Sequence, residues 1–327
     1  MRNALMAAAL GMVVAACGPG GAQTAPQAVA PAPEDRGGQV DREGDGQGYS
    51  AREALPDWFD CLREEGGLVI AAHRGGPAPG YPENALETLQ RGADAGLYMF
   101  EVDVAETADG EPFLLHDDML ERTTTGEGRA AERDWDEIAG LRLVDNDGRV
   151  TGFAPPRLAD ALEWAVAEGV VLELDAKRSA SYETMVETVR AAGAGDHVIL
   201  ISYTAGQARA LNRAAPEMML TADAFSGDDV DELRRSGIDP RRLIAWTGNE
   251  QPDPRAFAAL RAVGVEPAFG TLGRAGERLD DAWRADGDLS EYVALAEDGV
   301  VLIATDAPLE VAAALSGDER AFAACGR

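Results

Sequence analysis

The stretch Val171–Lys177 reads VLELDAK, and it decides the fold. Apolar residues alternate with the carboxylates Glu173 and Asp175, and the run ends at Lys177, the only lysine among 29 Lys and Arg residues. Side chains two apart on a strand project to the same side, so the three polar groups share one face. A strand this apolar needs cover on both faces, which favours a parallel sheet. Polar groups at its carboxyl end are typical of an active site on a parallel barrel.

Short apolar runs alternate with helical patterns through the rest of residues 51–327. Repeated strand–helix units of this number predict a (β/α)8 TIM barrel, with a doubly wound open sheet as the alternative. The apolar runs are Leu68–His73, Met99–Val104, Phe113–His116, Val170–Ala176, Val198–Ser202, Met218–Ala222, Leu243–Thr247, Val265–Gly270 and Val300–Thr305. These nine runs compete for eight barrel positions. We expect the surplus strand to be the sixth, seventh or eighth run.

Residues 117–156 follow the third run without a clean strand–helix pattern. The segment carries Trp135, many charged residues and one short helical pattern at Glu132–Ala139. Long connections of this kind are usually functional. We therefore predict an insertion after the third strand that acts as a lid or a substrate loop.

The first residues read as an export signal. Arg2 precedes an apolar run, Ala4–Ala16, that is too short to span a bilayer. The stretch Val14–Cys17 resembles the lipobox of bacterial lipoproteins, and that resemblance implies cleavage before Cys17 and acylation of its sulfur. Gly18 in the next position favours the outer membrane. Plain secretion is the alternative.

These features divide the chain into a signal peptide (1–16), a lipidated flexible tether (17–50) and the barrel domain (51–327). The expected location is the periplasmic face of the bacterial outer membrane, with membrane contact only through Cys17. A periplasmic or secreted protein is the alternative without lipidation. In an oxidising compartment we expect Cys61 and Cys325, near opposite ends of the domain, to form a disulfide. Two free thiols are the alternative.

The chain is strongly acidic. It has 58 Asp and Glu against 29 Lys and Arg, a net charge of −29, which becomes −30 when Arg2 leaves with the signal peptide. This charge argues against nucleic-acid binding and against docking of the protein surface on anionic lipid. The field should attract divalent cations.

A second pair of carboxylates supports a metal site. Glu101 and Asp103 project to one side of their strand. Asp175 projects in the same way from a strand that we expect two positions further around the barrel. Carboxylates this close repel unless a cation lies between them, and an all-oxygen site suits Mg²⁺ or Ca²⁺. Glu173, one step deeper, is the alternative to Asp175, and strand-end salt bridges are the alternative to a metal. Zinc fits less well because carboxylates dominate.

Two of the three histidines end predicted strands. His73 and His116 could form an acid–base pair near neutral pH, although a single histidine there would more simply be structural. His197 precedes an apolar run, and we interpret it as structural. Arg74 is followed by two glycines and could clamp a phosphate bidentately, and Lys177 would add a point charge.

Together these motifs resemble the glycerophosphodiester phosphodiesterase family. An isolated His-Arg-Gly would be weak, but the matches follow the family's order over nearly all of residues 68–308. They are His73-Arg74-Gly75, Pro82-Glu83-Asn84, Glu101-Val102-Asp103, Ala108-Asp109-Gly110, His116-Asp117, Arg122-Thr123-Thr124 with Gly126 and Gly128, Asp175-Ala176-Lys177, Trp246-Thr247 and Thr305-Asp306-Ala307-Pro308.

The resemblance implies a TIM barrel with an insertion after the second histidine, and a phosphodiesterase that hydrolyses glycerophosphodiesters to an alcohol and glycerol 3-phosphate with a divalent cation, Mg²⁺ or Ca²⁺. The implied metal ligands are Glu101, Asp103 and Asp175; the implied base and acid are His73 and His116; the implied residues for the small-molecule substrate are Arg74, Lys177, Glu83 and Trp246.

Departures from the family pattern keep other functions open. Many members have glutamate where Asp175 stands, and aspartate also occurs in the related sphingomyelinase D group. A phospholipase D-like lyase that forms a cyclic phosphate from lysophospholipid or sphingolipid is therefore one alternative. A non-catalytic polyol-phosphate-binding lipoprotein is another, but it predicts a missing ligand or histidine. Trp246-Thr247 is not followed by the hydrophobic residue and asparagine that are usual in the family, and Gly264–Asp298 is longer than expected. We expect substrate selectivity to lie there and in residues 117–156.

Overall fold

The computed structural model describes residues 54–285, 287–315 and 325. The predicted signal peptide and tether lie outside these residues. Among the residues that are described, no helix is both long enough and apolar enough to cross a membrane.

Eight parallel strands close into a barrel, as predicted. The strands of the sheet are β1 (Val69–Ala72), β2 (Met99–Glu106), β3 (Pro112–Leu114), β4 (Val171–Ala176), β5 (Val198–Leu200), β6 (Met219–Asp223), β7 (Leu243–Trp246), β8 (Glu266–Gly270) and β9 (Leu302–Thr305). Their order is β1-β9-β8-β7-β6-β5-β4-β2-β3, and a parallel pairing of β1 with β2 completes the ring.

The strand outside the barrel is β3, so our expectation for the surplus strand was wrong. β3 pairs antiparallel with β2, with Leu114 opposite Val104. The sixth, seventh and eighth runs are all barrel strands, β6, β7 and β8. The sequence of so short a strand does not show whether it runs parallel or antiparallel to its neighbours. The pairing with β2 shows that it is antiparallel. The insertion of residues 117–156 follows β3 and so lies between the second and third barrel strands.

Helices cover the outside of the barrel. The helices are α1 (Leu55–Glu65), α2 (Leu86–Asp94), α3 (Trp135–Ala139), α4 (Leu158–Glu168), α5 (Tyr182–Ala191), α6 (Ala205–Ala214), α7 (Gly227–Arg235), α8 (Pro254–Ala262), α9 (Leu279–Arg284), α10 (Ser290–Glu297) and α11 (Pro308–Leu315). Outward-facing strand residues such as Leu172 and Leu174 pack with helix residues such as Leu162 and Val186 in one large buried cluster. This layer holds the strands in register, so it fixes the positions of the inward-facing residues.

Helix α1 closes the barrel at the amino-terminal ends of its strands. Its Trp58, Phe59 and Leu62 are buried in one cluster with Met99 and Val171, the first residues of β2 and β4. The cluster that forms this barrel floor is therefore apolar, and the polar side chains further along β2 and β4 lie toward the opposite end.

A disulfide and a buried histidine complete this end of the molecule. Cys61 of α1 is bonded to Cys325, with 5.8 Å between the Cα atoms, as expected. His197 is buried at the start of β5, where its Nδ1 lies 2.8 Å from the carbonyl oxygen of Val170. This geometry agrees with its interpretation as a structural residue.

The insertion shares a small buried cluster with β3. Phe113 of β3 is buried together with Leu120 and Ile138 of the insertion, and Trp135 packs against them. The predicted helix is present as α3, which begins at Trp135. The insertion is therefore a folded element beside the carboxyl ends of the first barrel strands.

Candidate active site

The carboxylates meet because β2 and β4 are direct neighbours. Glu101 is in register with Glu173, and Asp103 is in register with Asp175. We had expected the two strands to be two barrel positions apart; they are adjacent because β3 is not a barrel strand. Oxygen atoms of Glu101, Asp103 and Asp175 all lie within 4.8 Å of one another, and each residue is at most 5% exposed.

The charge of this cluster fits a divalent cation. Burial raises the pKa of Glu101 well above its ordinary value, and the charges of Asp103 and Asp175 raise it further. Burial also pushes the pKa of Asp103 upward, but Lys177, His116 and Arg74 outweigh burial and lower it. Negative charge is thus concentrated where the three carboxylates meet. Three hard oxygen donors from adjacent strands could hold Mg²⁺ or Ca²⁺, which would neutralise part of that charge.

Two further side chains, Lys177 and Tyr203, donate to carboxylates of the cluster. The Lys177 ammonium lies 2.5 Å from Asp175 Oδ2 and also contacts Asp103 Oδ1. The Tyr203 hydroxyl donates to Asp175 Oδ2 at 2.6 Å from the loop after β5. Burial, followed by the charge of Asp175, raises the pKa of Tyr203, so this hydroxyl stays protonated and remains a donor.

His73 lies at the end of β1 and is oriented by an aspartate. Its Nδ1 is 2.7 Å from Asp306 Oδ1, and its Nε2 is 4.0 Å from Glu101 Oε2. Burial would raise the pKa of Asp306, but the bond to His73 and the neighbouring donors lower it to about 2. An ionised carboxylate only accepts, so Nδ1 carries a proton and Nε2 is turned toward the carboxylate cluster.

His116 has the same arrangement on the opposite side. Its Nδ1 lies 2.7 Å from Asp117 Oδ1. The bond from Arg122 is the largest of the effects that lower the pKa of Asp117 to about 2. His116 follows β3 in a loop and does not end a barrel strand. Two imidazoles, each backed by an ionised aspartate, therefore face one cavity.

Arg74 and Asn84 adopt the left-handed backbone conformation, with φ of 52° and 58°. In that conformation the Arg74 N–H donates to Glu101 Oε2 at 2.7 Å. The Asn84 amide donates to Asp103 Oδ2 at 2.7 Å and accepts the Asp103 N–H at 2.9 Å. Strained backbone of this kind clusters at functional sites. Here it fixes two carboxylates of the cluster.

Glu83 is buried between two arginines. Its carboxylate accepts from Arg74 Nη1 at 3.1 Å and from both terminal nitrogens of Arg122 at 2.8 Å. A carboxylate in this position repels phosphate but orients the guanidinium groups that could bind it. We assigned Glu83 to substrate binding, and this geometry gives it an indirect part.

A cavity of about 340 Å³ lies among these groups. It is lined by both histidines, by Glu101 and Asp175 of the cluster, and by Lys177, Tyr203 and Trp246. Glu173 forms part of its floor and is 3% exposed, and burial raises its pKa to about 8. Glu173 is not in the carboxylate cluster, so the geometry favours Asp175 over Glu173 as a ligand candidate.

Sequence reasoning gave no role to three residues of the site. Asp306 and Asn84 were visible in motifs, but only the fold shows that they orient His73 and Asp103. Tyr203 had no signal, because it reaches Asp175 from a loop 28 residues away in sequence.

A TIM barrel whose carboxyl end combines a carboxylate cluster, two histidines and two basic side chains has the composition of a phosphoester hydrolase site. Comparisons agree with this class. Residues 73–217 match the model of the glycerophosphoryl diester phosphodiesterase family. The uncharacterized protein YqiK of Bacillus subtilis is 30% identical over 183 residues, which cover 53% of this chain and 75% of YqiK. Human glycerophosphodiester phosphodiesterase 1 is 37% identical over 110 residues, 34% of this chain and a third (33%) of the human protein.

Solved structures give the same result. A glycerophosphoryl diester phosphodiesterase from Parabacteroides distasonis superposes with a TM-score of 0.67 at 27% identity, over 81% of this chain and 92% of the other. A phosphodiesterase from Oleispira antarctica, solved with the product sn-glycerol-3-phosphate, has a TM-score of 0.59 at 19% identity, over 78% and 99% of the two chains, and supports the fold. The chain belongs to the glycerophosphoryl diester phosphodiesterase family, and it is a phosphoric diester hydrolase.

Proposed function

We propose that the chain hydrolyses glycerophosphodiesters to an alcohol and sn-glycerol 3-phosphate, and that a divalent cation, Mg²⁺ or Ca²⁺, binds Glu101, Asp103 and Asp175. The observation that carries the proposal is this buried cluster, with its oxygens within 4.8 Å, between two histidines that aspartates orient. The Oleispira antarctica structure with sn-glycerol-3-phosphate supports a small-molecule substrate of this type.

The substrate phosphate would lie between the histidines. When bound, the cation would neutralise phosphate oxygen and orient polyol hydroxyls. Arg74, held by Glu83, and Lys177, held by Asp103 and Asp175, supply positive charge to the non-bridging oxygens. Trp246 forms an apolar wall against which the carbon atoms of the polyol can pack.

Proton transfer falls to the two histidines. One of the two imidazoles takes a proton from the attacking water as its oxygen bonds to phosphorus, and the aspartate behind it, Asp306 or Asp117, stabilises the imidazolium that results. The other imidazole gives a proton to the departing alcohol oxygen as its bond to phosphorus breaks. The products are the free alcohol and a phosphomonoester, and the histidines exchange protons with water between turnovers.

The deciding experiment is ³¹P NMR of the purified chain with glycerophosphocholine and Mg²⁺ or Ca²⁺, against an EDTA control. We expect a phosphomonoester signal that EDTA abolishes and added metal restores. A lasting cyclic phosphate would indicate the lyase alternative. Binding of the diester without turnover would indicate a binding protein.

The acid–base assignment has its own test. His116→Ala should lower kcat by about 10²–10⁴-fold with unchanged circular dichroism, because a positioned general acid or base contributes this much. His197→Gln, which keeps a donor toward Val170 far from the cavity, is the matched control and should retain activity. A His116→Ala enzyme with near-normal kcat would contradict the role.

We also propose that the chain is exported and anchored through an acylated Cys17 to the periplasmic face of the outer membrane. The Cys61–Cys325 disulfide supports an oxidising compartment. Fractionation of cells that express the chain and its Cys17→Ser variant tests this, since only the original chain should sediment with outer membranes.

A further inference from the structure

A second cavity of about 380 Å³ adjoins the catalytic one. His73 lines both cavities. The second cavity is built from the loop after β1, the insertion and the loop after β8, which contribute Arg74, Asn146 and Arg278 respectively. These include the two segments in which the sequence placed substrate selectivity. A phosphodiester carries two arms on one phosphorus, so a phosphate beside His73 has one cavity available for each arm.

The acceptor groups of the second cavity are already occupied. Its three carboxylates are Glu83, Asp145 and Asp306. Asp145 accepts the N–H groups of Gly80, Asp147 and Arg149 at 2.8–3.0 Å. Asp306 accepts from His73, from Gly273 N–H and from Arg278. Glu83 accepts from two guanidinium groups, so none of the three is open to a ligand.

The groups that remain available are donors. Arg74 uses Nη1 on Glu83, and Arg278 uses Nη1 on Asp306 at 2.7 Å. Within residues 54–285, 287–315 and 325, the structure records no hydrogen bond from Nη2 of either arginine or from the Asn146 side-chain amide. The Arg74 Nε has no hydrogen-bond partner either, but it lies 3.7 Å from Asp103 Oδ2 and so is directed at the carboxylate cluster.

We propose that the second cavity binds the non-glycerol arm of the diester and selects arms that carry a carboxylate or another anionic oxygen group; this rests on the proposed function. Guanidinium donors match such oxygens bidentately. The formal charges of the three arginines and three carboxylates that line the cavity balance, so selection comes from the unused donors rather than from net charge. The negative charge on the rest of the chain does not prevent an anionic arm from binding, because salt screens charges that lie more than about 8–10 Å from it.

The test compares glycerophosphoserine with glycerophosphoethanolamine, whose alcohol arms differ by one carboxylate. With the purified full chain and saturating metal, we expect kcat/KM to favour the serine diester by about tenfold or more, as for a charge-assisted pair. Arg278→Gln should bring this ratio close to one, and Asn146→Ala should lower it several-fold. Arg274→Gln is the matched control, since Arg274 is 80% exposed on the same loop and does not line the cavity; it should keep the ratio.

The ratio is the decisive quantity because Arg278 also contacts Asp306, which orients His73. Loss of that contact slows both substrates equally and leaves the ratio unchanged, whereas loss of an arm-binding donor changes it. Equal kcat/KM values in the unaltered chain, or a ratio that survives both Arg278→Gln and Asn146→Ala, would overturn the proposal. Hydrolysis of neither diester would overturn the proposed function and the subsite with it.

Discussion

Lys177 is the residue on which the electrostatics of the site depend. Its ammonium contacts Asp103 and lies 2.5 Å from Asp175, and it is 18% exposed. Burial would lower the pKa of Lys177, but the two carboxylates outweigh burial and raise it, so the side chain stays charged. A compact charge fits between two carboxylates that are close together, whereas a planar guanidinium needs more space.

We therefore predict that Lys177→Arg lowers kcat/KM by about 10- to 100-fold, the size expected when a charge-assisted contact is lost. Steady-state kinetics at several metal concentrations would measure the effect. Arg190→Lys, at an exposed ion pair with Glu217, makes the reverse exchange and should change nothing. Unaltered kinetics for Lys177→Arg would mean that the lysine takes no part in the reaction.

A second residue-scale prediction concerns Glu266 at the start of β8, which is 1% exposed beside Arg63. Arg63 favours the charged carboxylate, yet burial is the larger effect and raises the pKa of Glu266 to about 7. A raised folded-state pKa stabilises the fold fully below about pH 4.5, and this stabilisation is lost as pH rises through about 7.

The unfolding free energy of Glu266→Gln minus that of the unaltered chain should thus increase by up to about 3 kcal/mol as the pH rises from 4.5 to 8. Urea denaturation of both proteins across this range measures the difference, in which the titration of all other groups cancels. Parallel curves for the two proteins would contradict the assignment.

At the scale of elements, the packing of α2 on β2 fixes the strand that carries Glu101 and Asp103. Gly92 of α2 is buried against Phe100, and a Cβ at Gly92 would lie 2.5 Å from Phe100 Cε1. The glycine therefore allows the helix to approach the strand closely. Gly206 of α6 is also helical, but its nearest contact would be 3.7 Å away.

Gly92→Ala should destabilise the protein by about 1–3 kcal/mol through overpacking. Gly206→Ala, the control, should stabilise it by about 0.5–1 kcal/mol, because alanine loses less backbone entropy in a helix. Chemical denaturation measures both values. Equal effects of the two substitutions would show that the contact with Phe100 does not constrain the helix.

The elements also show how far sequence reasoning could reach. Alternating apolar runs and helical patterns predict eight strand–helix units, because burial on both faces leaves a periodic signal. The direction of β3 left no such signal, since a strand of three residues can pair in parallel or antiparallel. Counting β3 as a barrel strand is what led us to expect a strand between β2 and β4. The paired carboxylates were predictable from their spacing on one strand. The hydrogen bonds from His73 to Asp306 and from Tyr203 to Asp175 were not, because they join distant parts of the chain.

At the scale of the whole molecule, the disulfide joins the first described helix to the last described residue, across 264 positions. Cross-linking residues so far apart restricts the unfolded chain strongly, which is one account of how such bonds stabilise proteins. Cys61 also packs against the cluster that closes the barrel floor. The bond therefore acts on the fold as a whole rather than on the catalytic cavity.

Cys61→Ser should lower the unfolding free energy by about 2–5 kcal/mol and leave kcat unchanged. Thermal unfolding with and without a reductant measures the loss. Cys325→Ser should have a similar effect, and the double substitution should cost little more than either alone, since one missing thiol already breaks the bond. A reductant should then have no effect on any of the three variants.

The same bond turns the barrel into a covalent ring that runs from Cys61 to Cys325. A protease that cuts one loop inside this ring opens it without dividing the molecule, so both pieces stay attached and can refold together. A cut before Leu55 would instead remove only the residues upstream of α1, and it would leave Trp58 and Phe59 in place to close the barrel. A single cut at either place therefore leaves the described barrel in one covalent piece.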